Sequence, residues 1–241
     1  MKKQLFLFMI LLFMLTSHAQ AAGGIPILVY HSIDEFNGHG FRELYVTPEN
    51  FEKQMMYLKN HGFTLLTFEN WQDRTKVSKP ILITIDDGYK NNLNVEAIFQ
   101  RVKDKQFVPK VTLFVISDFV RRPNRLSASD LRRLANTGMF SIQSHTANHP
   151  NLTKTKNMEY ELKSSKQSIE RITGKPVIAI SYPFGIFNKE IIEETKKYYR
   201  FGLTTTPEKF KESEKENENL LLPRIYVKYS TTLEEFAKIV N

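Results

Sequence analysis

Short runs of apolar β-formers recur along the 241-residue chain, and stretches with helical spacing lie between several of them. The runs Ile25–Tyr30, Phe63–Thr67, Ile81–Ile85, Val111–Ile116, Phe140–Gln143, Val177–Ser181, Phe201–Thr204 and Leu220–Val227 predict strands. The segment Pro48–Asn60 follows Thr47 as N-cap, places Phe51, Met55 and Leu58 on one face, and is followed by Gly62. Ser127–Asn136 opens with Ser127 as cap and Asp130 three residues on, and Gly138 lies just beyond its end. Met158–Thr173 stops at Gly174, and Lys189–Tyr199 is the last clear helical pattern. Alternation of this kind predicts an α/β fold built on a mostly parallel sheet. There is no internal repeat and no Pro/Ser-rich linker. The polar run Glu208–Asn219 is too short to separate domains and predicts a solvated loop, so a single domain is expected.

The N-terminus breaks this pattern. Lys2 and Lys3 precede an apolar run from Leu5 to Leu15, and Ala19–Ala21 forms a small-x-small cleavage pattern. Residues 1–21 are therefore expected to be a secretory signal peptide cleaved near Ala21, leaving a domain of residues 22–241 outside the cell or at its surface. The run is short for a bilayer span. The chain has no cysteine, so no disulfide and no cysteine-linked lipid can form. Formal charge is +8; removing residues 1–21 takes Lys2 and Lys3 away and leaves 32 basic against 26 acidic side chains, +6. That balance suits a solubilising surface or loose attraction to anionic cell-surface polymers. The lysines are scattered and no recognition motif accompanies them, so no nucleic-acid partner is expected. A monomer is.

Chemistry enters where polar residues fall at strand ends. His31 follows the first run and Asp86-Asp87 follow Ile81–Ile85. Ser144 and His145 follow Phe140–Gln143, and Ser181 closes Val177–Ile180. In a parallel barrel these C-terminal ends open onto one face. His145 and His149 stand at i and i+4, so a helical or turn-like backbone points both imidazoles the same way. With one carboxylate they would make three protein ligands and leave an open position, the arrangement of a hydrolytic Zn²⁺ site. A lone H-x-x-x-H is more often structural, and Asp87-Gly88 alone is an ordinary turn. A turn does not explain two carboxylates capping a buried strand. Adjacent like charges force one toward protonation unless a cation neutralises it. One carboxylate would hold the metal while its neighbour accepts a proton.

At these residues the chain resembles the polysaccharide deacetylase family (the NodB-homology domain, carbohydrate esterase family four). "TIDDG" is similar to the family's first motif, T-F-D-D-G, with Ile85 for Phe; "SHTANH" to H-[ST]-x-x-H; "SYPFG" to R-x-P-Y-G, with Phe184 for Tyr. The resemblance runs from about Ile25 to the C-terminus. It implies a distorted (β/α)7-8 barrel that removes acetyl groups from sugars with a divalent metal, Zn²⁺ first and Co²⁺ or Ni²⁺ as alternatives. It further implies Asp86 as catalytic base and Asp87, His145 and His149 as metal ligands. Phe184 would offer its backbone N–H to the oxyanion.

Two positions depart from the pattern. Ser181 stands where the family has the arginine that orients the base, and no histidine follows His149 to serve as general acid. The "LVYHSI", "YPFG" and "LPRIYV" segments resemble the subgroup that deacetylates poly-β-1,6-N-acetylglucosamine, in which the acid histidine comes from the first strand. That match implies His31 as the acid. Arg224, in "LPRIYV", is then the candidate to replace the missing arginine by pairing with Asp86, against the plainer reading of a fold salt bridge. The expected substrate is an N-acetylglucosamine polymer. The alternatives are a deacetylase of peptidoglycan or chitin oligomers, or an inactive chain that only binds wall polysaccharide. Tyr30, Tyr89, Tyr182, Phe184, Phe187 and Trp71 lie near the motifs or elsewhere as candidate sugar-stacking rings, although most aromatics are core by default.

Overall fold

The computed structural model describes residues 24–213 and 216–241, so the expected signal peptide lies outside the described residues. Ten strands run in chain order: β1 (Ile27–Tyr30), β2 (Ser32–Ile33), β3 (Tyr45–Val46), β4 (Thr64–Leu66), β5 (Pro80–Ile85), β6 (Val111–Val115), β7 (Phe140–Ser144), β8 (Ala179–Ser181), β9 (Phe201–Leu203) and β10 (Ile225–Tyr226). β2 and β3 pair with each other; the other eight form one sheet in which every ladder is parallel. Its order is β10-β1-β5-β6-β7-β8-β9, with β4 added on β5.

The sheet closes on itself through one short segment. Leu222 bridges to Leu203 of β9, and the Arg224 N–H donates to the Thr206 carbonyl. Ile225 and Tyr226 then pair with Leu28 and Val29 of β1. Residues 222–226 thus join the two edges into a distorted barrel of seven strands, the (β/α) architecture expected.

Six helices surround it: α1 (Pro48–Asn60), α2 (Leu93–Val102), α3 (Ala128–Ala135), α4 (Ser165–Thr173), α5 (Lys189–Lys196) and α6 (Leu233–Val240). Thr47 caps α1 by accepting from the Asn50 N–H, and Ser127 with Asp130 forms a reciprocal capping box at α3. The helical pattern Met158–Thr173 divides into a π-helical turn, Tyr160–Ser164, followed by α4. The run Leu220–Val227 is strand only at its end; Glu218–Leu220 is a 3₁₀ turn. Two helices lacked an expectation. The first turn of α2 carries no capping side chain, since Asn92 is itself in a helical conformation after a 3₁₀ turn. α6 is only eight residues long at the chain end, although Thr232 and Glu235 form a capping box. None of the helices among the described residues is long and apolar enough to cross a membrane.

The two faces of each strand have separate tasks, because side chains alternate with a period of two. In β5, Ile81, Ile83 and Ile85 pack under the helices, whereas Leu82 points into the barrel with Phe68, Trp71, Phe114 and Phe201. Continuing the inward column from Leu82 gives Thr84 and then Asp86. In β7, Phe140 and Ile142 pack outward, so Ser141, Gln143 and His145 form the inward column. In β8, Ala179 belongs to the inner cluster and Ser181 follows it. In β1, Ile27 is inner, then Val29, then His31. Apolar plugs fill the floor of the barrel, and the same columns turn polar at its C-terminal mouth.

Candidate active site

Asp86 is buried, with 3% of its surface exposed, and Arg224 is fully enclosed. The guanidinium is engaged at all five N–H positions. Nη1 donates to Asp86 Oδ1 at 2.8 Å and to Thr84 Oγ1 at 3.2 Å. Nη2 donates to Asp86 Oδ2 at 2.9 Å and to Ser181 Oγ at 2.8 Å, and Nε donates to the Thr204 carbonyl at 2.9 Å. The pairing with the carboxylate is bidentate, the geometry in which an arginine–carboxylate contact is strongest. Burial pushes the Asp86 carboxyl up, but the Arg224 charge, assisted by His145 and His31, outweighs it and holds Asp86 well below the usual carboxylate range.

Ser181, at the position where the family's third motif has arginine, connects two parts of the site. Its hydroxyl donates to Asp86 Oδ2 at 3.0 Å, and its carbonyl accepts from His145 Nδ1 at 2.8 Å. A carbonyl can only accept, so the proton sits on Nδ1 and the Nε2 lone pair is left facing the site. From there Nε2 lies 3.6 Å from Asp87 Oδ1 and 3.7 Å from Asp86 Oδ2. His149 Nε2 lies 3.8 Å from the same Asp87 oxygen, and the two imidazole rings stand 4.6 Å apart at 75°.

Asp87, His145 and His149 each present a ligand atom, all within 4.8 Å of one another. One carboxylate oxygen and two imidazole nitrogens converging on an open mouth form a donor set that fits a divalent ion of borderline softness. Burial lowers the His149 pKa to about 4, with His145 adding to the effect and Asp87 and Asp86 opposing it, so the ring is neutral and its nitrogen available at physiological pH.

The backbone bends sharply to deliver these groups. Asp87, Thr146, His149 and Phe184 all adopt positive φ, at 71°, 66°, 59° and 61°. Four non-glycine residues in the left-handed region within one site is a concentration of strain of the kind found where function dictates geometry. The i, i+4 histidines are accordingly placed by a turn and not by a helix. Thr146 reverses the chain and its Oγ1 accepts from the His149 N–H at 2.9 Å.

Glu161 supports the same loop from outside. This side chain, 6% exposed, accepts from the Ala147 and Asn148 N–H groups, each at 2.9 Å, and from Asn148 Nδ2 at 3.3 Å. Its place in the charged stretch "MEYELKSSK" disguised it as one more solvated acid. Only the buried, apolar Leu162 beside it hinted otherwise.

His31 lies at the end of β1 and stacks on Tyr226, with ring centroids 5.7 Å apart and planes 7° from parallel. Asn92 donates to the His31 carbonyl at 2.7 Å and fixes the start of the turn that follows. Burial lowers the His31 pKa, Asp86 and Asp87 oppose that, and Arg224 and His145 reinforce it.

Phe184 is 61% exposed and stands edge-on to His149 at 4.7 Å. The next residue, Gly185, has φ +67°, and a Cβ there would meet Thr205 Oγ1 at 2.1 Å, so the turn holding Phe184 requires glycine. Of the candidate sugar-stacking rings, Tyr30, Tyr182 and Trp71 are buried core residues and cannot face a ligand. Tyr89, Phe184 and Phe187 remain accessible. His61 closes α1, with Nδ1 2.8 Å from the Tyr57 carbonyl, and His39 is exposed in its loop.

The polysaccharide deacetylase family model matches residues 73–201, more than half of the chain, a span that includes Asp86, Asp87, His145 and His149. The chain belongs to that family. YxkH of Bacillus subtilis, itself a candidate polysaccharide deacetylase, is 31% identical over 76% of this chain and 65% of its own. The crystal structure of BC0361, a polysaccharide deacetylase from Bacillus cereus, superposes with a TM-score of 0.89 at 47% identity, covering 90% of this chain and 69% of that one. The poly-β-1,6-N-acetyl-D-glucosamine N-deacetylase of Staphylococcus epidermidis is more distant, at 25% identity over 79% of this chain and 72% of its own. This chain thus spans about two thirds of the length of its Bacillus relatives.

Proposed function

We propose that the protein is an exported, metal-dependent polysaccharide N-deacetylase that releases acetate from N-acetylglucosamine polymers, with the poly-β-1,6-linked polymer favoured. One observation carries the reading: Asp86 is held ionised by Arg224 directly beside the Asp87–His145–His149 cluster, at the C-terminal mouth of the barrel, where Asp87 and His149 are partly exposed. Family membership and the likeness to the staphylococcal enzyme support the substrate class.

Asp87, His145 and His149 would hold the cation, Zn²⁺ in the first instance. A divalent cation so held acidifies water and polarises the acetyl carbonyl. Asp86 accepts the proton of the attacking water; the arginine keeps its carboxylate deprotonated and oriented, so every turnover begins with the acceptor in place. The Phe184 N–H, at the strained turn after β8, is offered to the negative charge that develops on the acetyl oxygen; one such donor is typically worth about 3–4 kcal/mol. His31 protonates the departing sugar nitrogen, since an amine leaves readily where an amide anion does not. Tyr226 holds that ring flat against one face. The products are acetate and a glucosamine unit.

The test is acetate release from poly-β-1,6-N-acetylglucosamine, peptidoglycan and chitin oligomers, with and without chelator. Chelator-sensitive release, fastest from the first polymer, is expected. Fastest release from another polymer reassigns the substrate. No release from any of them with divalent metal supplied leaves a polysaccharide-binding protein.

A further inference from the structure

A cleft of about 960 Å³ opens beside the candidate active site, between the 117–127 loop and helices α3 and α4. Six cationic side chains line it, Lys90, Arg121, Arg122, Arg125, Arg132 and Arg171, against the single carboxylate of Asp118. Lys90 is neutralised by Asp130 at 2.6 Å. Among the described residues, none of the five arginines has a carboxylate partner within ion-pair distance, although most other arginines of this chain do find one: Arg74, Arg101, Arg133 and Arg224 are all paired.

Arg125 makes the point most sharply. Its guanidinium lies over the Tyr89 ring at 4.0 Å, and its Nε and Nη1 are buried without any hydrogen-bond partner. Leaving such donors unpaired is costly unless a ligand supplies acceptors. Arg122 is similarly prearranged, lying over Phe119 at 3.3 Å. Rings that hold guanidinium groups flat leave their forked edges free for planar or tetrahedral anions.

The cleft is continuous with the catalytic framework. On one side the Ser117 and Asp118 N–H groups donate to the Thr146 and Ala147 carbonyls, between the two ligand histidines. On the other, the Leu126 N–H donates to the Gly88 carbonyl and the Lys90 N–H to the Asn124 carbonyl, immediately after Asp87. The loop that carries Arg121, Arg122 and Arg125 is therefore stitched to both turns that present the metal-binding groups. From there the cleft runs down the outer wall to Arg132 on α3 and Arg171 on α4.

We propose that this cleft binds an anionic polysaccharide, one whose sugar units carry carboxylate or phosphate groups, and holds that polymer against the rim of the active face. The occupant is a glycan because the cleft wall is shared with the site of a polysaccharide deacetylase family member. It is anionic because five arginines, of which Arg132 also donates Nε to the Ile172 carbonyl at 3.1 Å, lack a carboxylate partner among the described residues. The role is distinct from catalysis and needs no turnover to be observed.

The experiment measures binding to the unaltered protein in chelator, which stops metal-dependent turnover, so a failure of the catalytic reading does not affect it. The probes are oligogalacturonate, phosphorylated dextran and neutral dextran at 50 mM salt. Binding to one or both charged glycans and none to neutral dextran is expected, and the charged arm that binds distinguishes carboxylate from phosphate. Arg121→Gln/Arg122→Gln/Arg171→Gln should weaken binding at least tenfold and flatten its salt dependence. Lys103→Gln/Lys105→Gln/Lys196→Gln removes the same charge from exposed sites elsewhere and should leave affinity within twofold. Equal loss in the two triple variants, equal affinity for neutral dextran, no binding to any probe, or displacement by duplex DNA at matched charge would each overturn the proposal.

Discussion

Arg224 and Asp86 meet through two parallel N–H···O contacts, 2.8 and 2.9 Å, inside a barrel that wholly screens Arg224 from solvent. They are 138 residues apart in sequence. Removing one member of a buried pair leaves an uncompensated charge, which typically costs about 3–5 kcal/mol. Arg224→Ala is therefore expected to lower unfolding free energy by that order, measured by urea denaturation. Arg224→Lys keeps the charge but cannot reproduce five directed donors. If the pair serves catalysis as well as the fold, the lysine variant loses acetate release well beyond its loss of folded protein. Unchanged kcat in that variant would reduce the pair to a fold salt bridge.

The two adjacent carboxylates should separate cleanly by metal binding. Asp86→Asn is expected to retain metal affinity while abolishing turnover, and Asp87→Asn to lose both. Calorimetric titration of Zn²⁺ into each purified variant reads the first half, and acetate release the second. Equal metal affinity in the two variants would contradict the assignment of Asp87 as the ligand.

Glu161 should act on the metal without touching it. Its carboxylate pins the Ala147 and Asn148 N–H groups of the loop between His145 and His149. Losing an outer partner of a metal ligand typically costs about 10–100-fold in affinity. Glu161→Gln is expected to weaken Zn²⁺ binding on that scale, and the loss should exceed what its effect on melting temperature explains.

The metal-free chain should lose stability on mild acidification, in part through His149. In the unfolded chain a histidine takes up its proton near pH 6.5, whereas folded His149 resists until about pH 4. Between those values the unfolded state binds more protons, so stability is full above pH 6.5 and declines as pH falls toward 4. His149→Gln removes this contribution. Denaturant midpoints of chelated protein at several pH values should show a shallower slope for the variant than for the parent, and parallel slopes would refute the assignment.

Much of the barrel is legible in the sequence because its strands are short apolar runs, and because the inward columns change from Leu82 and Ala179 to Asp86 and Ser181 where they reach the mouth. Strand ends and chemical residues therefore coincide in the text of the chain. The locations of His31, Asp86, Asp87, His145 and His149 follow from that coincidence. Other features depend on contacts remote in sequence. The arrangement of Glu161 beneath a loop fourteen residues away cannot be read from a helix whose neighbours are mostly charged. The arginine cleft is equally hidden, since its side chains come from a loop and two helices and look like scattered surface charge. α2 escaped because nothing polar caps it, and Trp71 misled because a ring rare in the sequence proved to be a plug in the barrel floor.

The seam at residues 222–226 joins two tasks in five residues, closing the barrel and supplying the counter-charge of Asp86. Without that stretch, β9 and β1 would have no join and Asp86 no bidentate partner. Under the proposed mechanism, a chain lacking Arg224 would keep Asp87, His145 and His149 yet lose the partner that orients the base. On that mechanism, the stretch that closes the barrel is also the one that keeps the base charged.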